Sequence, residues 1–332
     1  VYGEADPSFE KASISQYIGD DLDGISLEVI RSDAGNDELG IHEDVLVIGK
    51  TVKELDETYT NYRFAIYPGD FTIKSNDSLS VSASDVKKVY DGNGYGVEPV
   101  SVPSGATITY RDADGKYTLT ESPTRTNVGT TKVEFRASLY GYDAAYGSAD
   151  VTITAKEVSI TAADAGKVYG EADPSFADAV ISEYVGSELS GIDLSVSRSD
   201  AGDDGLGTHE GVLNIGKTAA ELDAEYTNYR FTVVAADFTI TQNESGLSVD
   251  AADVIKTYDG NSYGVEPLSV PSGATITYKD AEGNYTLAES PVRRDVGTTK
   301  VEFKASLYGY GDAYGSADVT ITAKEVSITA AD

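Results

Sequence analysis

The sequence predicts an all-β protein assembled as a tandem array of small modules, and three observations carry that reading. The 33 Gly and 23 Tyr, with plentiful Thr and Val, favour strands joined by tight turns. Apolar residues alternate with polar ones in many short runs, such as VTITA at 151–155 and VSITA at 158–162, the pattern of half-buried strands. The chain also repeats itself: VYGEADP at 1–7 recurs at 168–174, and VSITAAD at 158–164 recurs letter for letter at 326–332.

The self-similarity sets the organisation. Tyr2 maps to Tyr169 and Phe71 to Phe238 at an offset of 167, whereas Tyr90 maps to Tyr258 and Lys156 to Lys324 at 168, so one residue, most simply Gly246, is inserted. Two module types alternate: A at 1–74 and 157–242, B at 78–156 and 246–324, with 325–332 as the orphan opening strand of a further A module. Both types share an opening strand, a Lys followed two residues on by Tyr, a Gly turn and a closing Thr-Ile strand. A unit of roughly 80 residues is too long for a solenoid of one supersecondary element and suits a self-contained small sandwich. The expected architecture is therefore four Ig-like or β-grasp-like β-sandwich modules in A-B-A-B order, forming an elongated rod. Each would add about 35–40 Å if ~10–12 extended residues rise ~3.3 Å apiece.

In chain order, 1–9 is a turn-rich start, ISLEVI at 25–30 a strand, RSDAGNDELG at 31–40 a Gly-punctuated loop, and VLVIG at 45–49 a short buried strand. TVKELDE at 51–57 suits one or two helical turns, marginal without tertiary support. YRFAI at 62–66 and FTI at 71–73 are expected to close the first A module as a hairpin through Pro68, Gly69 and Asp70. The B module opens with LSVSA at 79–83 and VYDGN at 89–93. TITY at 107–110 and YTL at 117–119 then flank the turn DADG, and KVEFRA at 132–137 leads through a Tyr-rich connection to the closing strand at 149–154. The stretch 151–164 reads as two strands end to end, one closing a module and one opening the next. Lys156-Glu157 and Lys324-Glu325 leave no flexible linker there, so bending is expected to be restricted. The A-to-B junction is one residue longer in the second repeat and is expected to bend more readily.

The first A module lacks the opening strand that the second has at 158–162. Val326, Ser327, Ile328, Thr329 and Ala330 are that strand without a module. An unpaired edge and an unpaired strand are complementary, so these five residues are a candidate strand donor to the first module of another chain. Neighbouring copies of the same repeat array are thus the expected partner. The plainer alternative is that both ends are boundaries within a longer array.

The formal charge of −31, from 56 acidic against 25 basic residues, argues against nucleic acid, which needs clustered Lys and Arg, and against anionic membranes. No run approaches the roughly 18 apolar residues of a span, so no direct membrane insertion is expected. Any secretion signal or anchor would lie outside this sequence. Without Cys there are no disulfides, thiolate metal sites or cysteine catalysis.

Little chemistry is offered. His42 and His209, the two histidines, occupy equivalent positions and are expected as surface or capping residues. There is no nucleophile elbow or phosphate loop, so no enzyme is expected. Calcium is the one cofactor worth weighing, because hard cations take several oxygens from one loop. Asp20, Asp21 and Asp23 lose their counterparts to Ser187, Glu188 and Ser190. The loop with Asp33, Asn36 and Asp37, and its counterpart with Asp200, Asp203 and Asp204, keeps its oxygens in both repeats and is the calcium candidate, against a simple polar turn. Tyr140, Tyr142 and Tyr146, with Tyr308, Tyr310 and Tyr314, are candidates for an aromatic platform that takes a host or matrix glycan, against ring packing at a strand corner.

The A segments resemble a known family. KVYGEADP at 167–174, a strand ending in Arg198, a Gly-acidic loop ending in Gly207, NYRF at 228–231 and FTI at 238–240 are similar to the MBG domain of the YGX type; the first repeat matches at 1–7, Arg31, Gly40, 61–64 and 71–73. YDGN at 90–93 and 258–261, with VGT at 128–130 and 296–298, resembles the YDG-type Ig-like repeat. The helix-prone stretches at 51–57 and 218–225 depart from the short turn expected of the family. The resemblance implies extracellular modules of bacterial adhesins, at the cell surface or in the cell wall, and no catalytic activity. The expected function is a stalk that projects a binding region from the cell. The alternatives are a filament subunit joined by strand donation, or a carbohydrate- or mucin-binding module.

Overall fold

The computed structural model describes residues 1–329. Strands dominate, in two compact units, Val1–Lys156 and Glu157–Asp332.

In the first unit, Val29–Arg31, Gly40–Ile48 and Gly69–Ile73 form an antiparallel sheet in that order. A seven-residue helix, Val52–Thr58, follows the second strand. It forms because Thr51 and Glu54 make a reciprocal cap: the Thr51 hydroxyl accepts the Glu54 amide at 3.2 Å, and the Glu54 carboxylate accepts the Thr51 amide at 2.8 Å. Leu55 anchors the helix from its buried face. Downstream lies a five-stranded sheet in the order Val86–Val89, Ala145–Thr154, Gly129–Ser138, Thr107–Arg111, Tyr117–Leu119, parallel only between the first two. A ribbon of Ser80–Ser82 and Val100–Val102 covers it. The approach is close because residue 147 has no side chain: a Cβ on Gly147 would lie 2.4 Å from the Phe135 ring and 3.0 Å from the Val81 carbonyl. The alternating inward residues Val133, Phe135, Ala137, Ala149, Val151 and Ile153 make the core.

The second unit repeats this plan, with the five-stranded sheet Val254–Thr257, Ala313–Thr322, Gly297–Ser306, Thr275–Lys279, Tyr285–Leu287. Its A segment carries more strands. One sheet runs Ala165–Val168, Ala236–Thr241, Gly207–Ile215, Val196–Arg198; the other runs Val180–Ile181, Lys156–Thr161, Tyr229–Val234. The opening strand buries Val158 and Ile160, at 2% and 0% exposure. With it in place Leu213, Ile215, Tyr229, Phe231 and Phe238 are all buried, whereas their counterparts Leu46, Ile48, Tyr62, Phe64 and Phe71 are half-buried.

The closing hairpin expected of the A segment does not form. Tyr229–Val234 and Ala236–Thr241 lie in different sheets. Inward positions change from odd (Tyr229, Phe231, Val233) to even (Ala236, Phe238, Ile240), so consecutive strands present their apolar faces to one core from two sides. In the first repeat 62–66 is not a strand at all, and Gly69–Ile73 pairs with Gly40–Ile48 instead. The strand expected over 25–30 is limited to Val29–Arg31. The two strands expected end to end over 151–164 are Ala145–Thr154 and Lys156–Thr161. Residues 323–329 carry no strand, and of the donor residues Ala330 lies outside the described residues.

Candidate functional site

The polar loop singled out for calcium is built around an arginine. Arg198 ends a strand with its side chain 1% exposed. Its Nε donates to Asp200 Oδ1 at 2.7 Å and its Nη1 to Asp173 Oδ1 at 3.2 Å, while Nη2 donates to the Asp203 carbonyl. The guanidinium also lies 4.4 Å from the centre of the Phe238 ring. Lys167 adds a second cation, 2.8 Å from Asp173 and 2.5 Å from Asp204. The first repeat matches it: Arg31 binds Asp33 at 2.8 Å and Asp6 at 3.0 Å, and lies 4.6 Å from the Phe71 ring centre. There Asn36 supplies the carbonyl that Arg31 Nη2 reaches. Its Oδ1 accepts the Glu38 amide at 3.3 Å. Asp37 stands where Asp204 does, with no counterpart of Lys167 among the described residues.

The histidines belong to the same lock. His42 Nδ1 lies 2.6 Å from Asp33 Oδ2 and Nε2 lies 2.8 Å from the Glu38 carbonyl; His209 stands 2.6 Å from Asp200 Oδ2 and 2.9 Å from the Gly205 carbonyl. Both nitrogens of each ring face acceptors, which only the doubly protonated imidazolium satisfies. The Glu38 carbonyl, then Asp33, raises the His42 pKa above the usual imidazole value. The Gly205 carbonyl does the same for His209, with Asp200 adding to it against partial desolvation. Conversely, the guanidiniums of Arg31 and Arg198 hold Asp33 and Asp200 below the usual carboxylate range, and Lys167 does so for Asp173. Asp200, Asp203 and His209 each place one potential ligand atom within 4.8 Å of the others. A metal ion there would have to displace the contact between His209 and Asp200.

The tyrosines form a joint. Tyr2 meets Tyr140 and Tyr142 edge-on at ring separations of 5.6 and 5.8 Å, and Tyr169 meets Tyr308 and Tyr310 at 5.6 and 5.5 Å. Gly141 lies between the first pair with φ of 85°, and a Cβ there would stand 2.2 Å from the Tyr2 ring; Gly309, at φ of 86°, has the same relation to Tyr169 at 2.1 Å. Asn76 stitches the segments together: its amide donates to the Gly141 carbonyl at 2.9 Å, its Nδ2 to the Tyr2 carbonyl at 3.0 Å, and its carbonyl accepts the Asp143 amide at 2.9 Å. Asn243 repeats all three bonds with Gly309, Tyr169 and Gly311 at 2.9, 3.1 and 3.0 Å.

At the second junction the three bonds of Asn243 match those of Asn76 despite the inserted residue. Gly246 packs so tightly beside the clamp that a Cβ would fall 2.5 Å from the Asn243 side chain. Of the platform candidates, Tyr140 and Tyr308 are 65% and 64% exposed, while Tyr142 and Tyr310 are half-buried in the joint. The Tyr308 hydroxyl accepts the Leu206 amide at 3.1 Å. Tyr146 and Tyr314 pair edge-on with Tyr117 and Tyr285.

The residues that sequence reasoning passed over are Arg31 and Arg198 as cation centres and Tyr2 and Tyr169 as joint keystones. The arginine signal is RSDAG at 31–35 and 198–202, an Arg closing a strand with an Asp two residues on, in both repeats. Nothing in the local sequence brings Tyr2 to Tyr142, because that contact is made across the whole first repeat. Among the described residues, no helix is long and apolar enough to cross a membrane.

Residues 158–239 match the family model of the MBG domain (YGX type). No curated protein matches the sequence. Among solved structures, the chain is similar to a 1.5-MDa bacterial ice-binding adhesin, at 11% identity over 75% of this chain and 99% of that one, with a TM-score of 0.29. It is also similar to the human desmocollin-1 ectodomain, at 12% identity over 79% and 65% with a TM-score of 0.27, and to Drosophila N-cadherin EC1–4, at 11% over 76% of each with a TM-score of 0.22.

Proposed function

We propose that this chain, whose second A segment matches the MBG domain (YGX type), is a structural repeat region of a large secreted bacterial surface adhesin. Four modules in A-B-A-B order act as a stalk that holds a binding region away from the cell, outside it and attached at its surface or wall. The role is mechanical rather than catalytic. The observation that supports it most is the tyrosine joint, present with the same hydrogen bonds in both repeats. A stalk works only if successive modules keep their mutual direction, and ring packing, a glycine that admits the ring, and three bonds to one Asn fix that direction within each repeat. The charge of −31 keeps neighbouring stalks apart, and salt or calcium would weaken that repulsion.

Pulling on the full chain tests the reading. The expected record is a series of separate unfolding steps, each releasing about 80 residues or ~25 nm of extended chain. One step that releases the whole chain would overturn it. The exposed rings of Tyr140 and Tyr308 support a second, weaker reading as a glycan contact. Binding to immobilised mucin that is lost in Tyr140→Ala and Tyr308→Ala is its signature.

A further inference from the structure

The loop after Val86–Val89 reads YDGNG at 90–94, and its counterpart in the second repeat reads YDGNS at 258–262. In both, one aspartate gathers the loop. Asp91 Oδ1 accepts the Asn93 amide at 2.9 Å, while its Oδ2 accepts Asn93 Nδ2 at 3.1 Å and the Tyr95 hydroxyl at 2.6 Å. Asp259 takes the same three bonds from Asn261 and Tyr263 at 2.9, 3.1 and 2.5 Å. The Tyr95 hydroxyl, then the Asn93 amide, holds Asp91 below the usual carboxylate range, so it stays ionised. Downstream, the Tyr95 amide donates to the Arg125 carbonyl at 3.1 Å, and the Tyr95 carbonyl accepts the Arg125 amide at 2.8 Å.

Asn93 and Gly94 lie outside any strand and are exposed, and among the described residues no group bonds to the Gly94 amide. Asn93 is also the one asparagine in the sequence that a glycine follows. The main-chain nitrogen after an asparagine is a latent nucleophile, hindered mainly by the side chain of its own residue, and glycine has none. Close packing suits Gly at this position: a Cβ on Gly94 would stand 3.3 Å from Thr124 Oγ1.

We propose that Asn93 is a site of spontaneous deamidation, converting to aspartate and isoaspartate in the first repeat while Asn261, held by the same three bonds, persists. The Gly94 main-chain nitrogen attacks Asn93 Cγ. The new N–C bond closes a succinimide, the Cγ–Nδ2 bond breaks, and ammonia leaves with the proton that the Gly94 nitrogen gave up. Water then opens the ring. Attack at Cγ gives aspartate, and attack at the main-chain carbonyl gives isoaspartate, in which the chain runs through the former side chain. Nothing is oxidised or reduced, and water is the only co-reactant. Aspartate sets a carboxylate where Asn93 Nδ2 was a donor, facing the ionised Asp91. Isoaspartate lengthens the main chain by a methylene and shifts the amide that Asp91 Oδ1 holds. Either product loosens the loop.

To test this, the full folded chain is aged in mildly alkaline buffer, beside an unaged sample, and both are digested with trypsin. Cleavage after Lys88 and Arg111 releases 89–111, with Asn93 as its one side-chain amide; cleavage after Lys256 and Lys279 releases 257–279, with Asn261 as its one. Mass gain and labelling by an isoaspartyl methyltransferase read the two sites separately. Asn93 is expected to convert about tenfold or more faster than Asn261, and Gly94→Ser to bring it down to the Asn261 rate. Because a side chain at 94 crowds Thr124, Ser262→Gly, which only removes atoms, is the second variant and is expected to raise the Asn261 rate. Equal rates at 93 and 261, or a rate at each site indifferent to the residue that follows, overturn the proposal. So does a folded chain that keeps Asn93 intact while a free 89–111 peptide converts, since the Asp91 bonds would then protect it. In the aged chain, hydrogen exchange at the Asn93 and Tyr95 amides is expected to quicken while that at Asn261 and Tyr263 stays as it was. Unchanged exchange at 93 and 95 after conversion would overturn the loosening of the loop.

Discussion

The stretch from Val29 to Ile73 and its counterpart in the second repeat share one plan but differ in their strands. Both have the Arg-centred lock and a capped helix of seven residues. The second also has Lys156–Thr161 and Ala165–Val168, and with them a second sheet and a closed core. The first has a single three-stranded sheet. YRFAI at 62–66 alternates as well as YRFTV at 229–233, yet only the latter is a strand. Alternation makes a segment able to pair; a neighbour with free amides and carbonyls makes it a strand.

The largest test of this contrast is a pair of truncations. Leu213→Ala is expected to cost about 3–5 kcal/mol, whereas Leu46→Ala, at a half-buried site, costs about 1–2 kcal/mol, read from urea unfolding of the full chain. Equal losses would break the comparison. Next, fusing KEVSITAADAGK ahead of Val1 supplies the first repeat with the sequence that precedes Val168. It is expected to stabilise the first unit, because main-chain pairing and fuller burial of the half-buried Leu46, Ile48, Phe64 and Phe71 add to the burial of one Val and one Ile. Protection of the 62–67 amides from hydrogen exchange would show that the strand has formed.

Arg198→Met is expected to cost about 2 kcal/mol, because it takes the donor from Asp200 Oδ1 and from the Asp203 carbonyl, while His209 still holds Asp200 Oδ2 and Lys167 still serves Asp173 and Asp204. The smallest effect is that of pH, and it should be shared by both repeats. His42 and His209 titrate higher in the folded chain. Their contribution is therefore complete below the ordinary imidazole value of about 6.5 and is lost as pH rises through the raised folded values. Asp33 and Asp200 titrate lower when folded, so theirs is present above about 3.9 and is lost as pH falls through the depressed folded values. Urea midpoints are expected to be higher at about pH 6 than at about pH 9, and the difference should vanish when both histidines become Gln. A midpoint that rises with pH over that interval would contradict the assigned hydrogen bonds.

Much of the fold was legible in the chain because its signals are local. Strand periodicity, the helix-prone run TVKELDE at 51–57 and the turn at Asp112 to Gly115 each act within a few residues. The hairpin expected over 62–73 does not form, and in the second repeat the equivalent stretch crosses between sheets at Val234 to Ala236, which the change of inward positions from odd to even records. The loop at 198–204 was recognised as rich in oxygens, but the partner of those oxygens was not, since a lone Arg at a strand end looks like any surface cation until its surroundings close over it. Half of the tyrosine joint was visible, since Tyr140, Tyr142, Tyr308 and Tyr310 stand out beside their glycines, but the rings they meet, Tyr2 and Tyr169, lie at the far end of each repeat in sequence.

The arginine lock also bears on durability. A loop of carboxylates organised by a dissolved ion holds only while that ion is supplied, and a chelator or a demineralised medium takes it apart. Here the organising charge at 31 and 198 is covalently part of the chain and stays protonated across the whole range in which proteins survive. These two loops are expected to keep their shape in EDTA, in fresh water and in sea water alike.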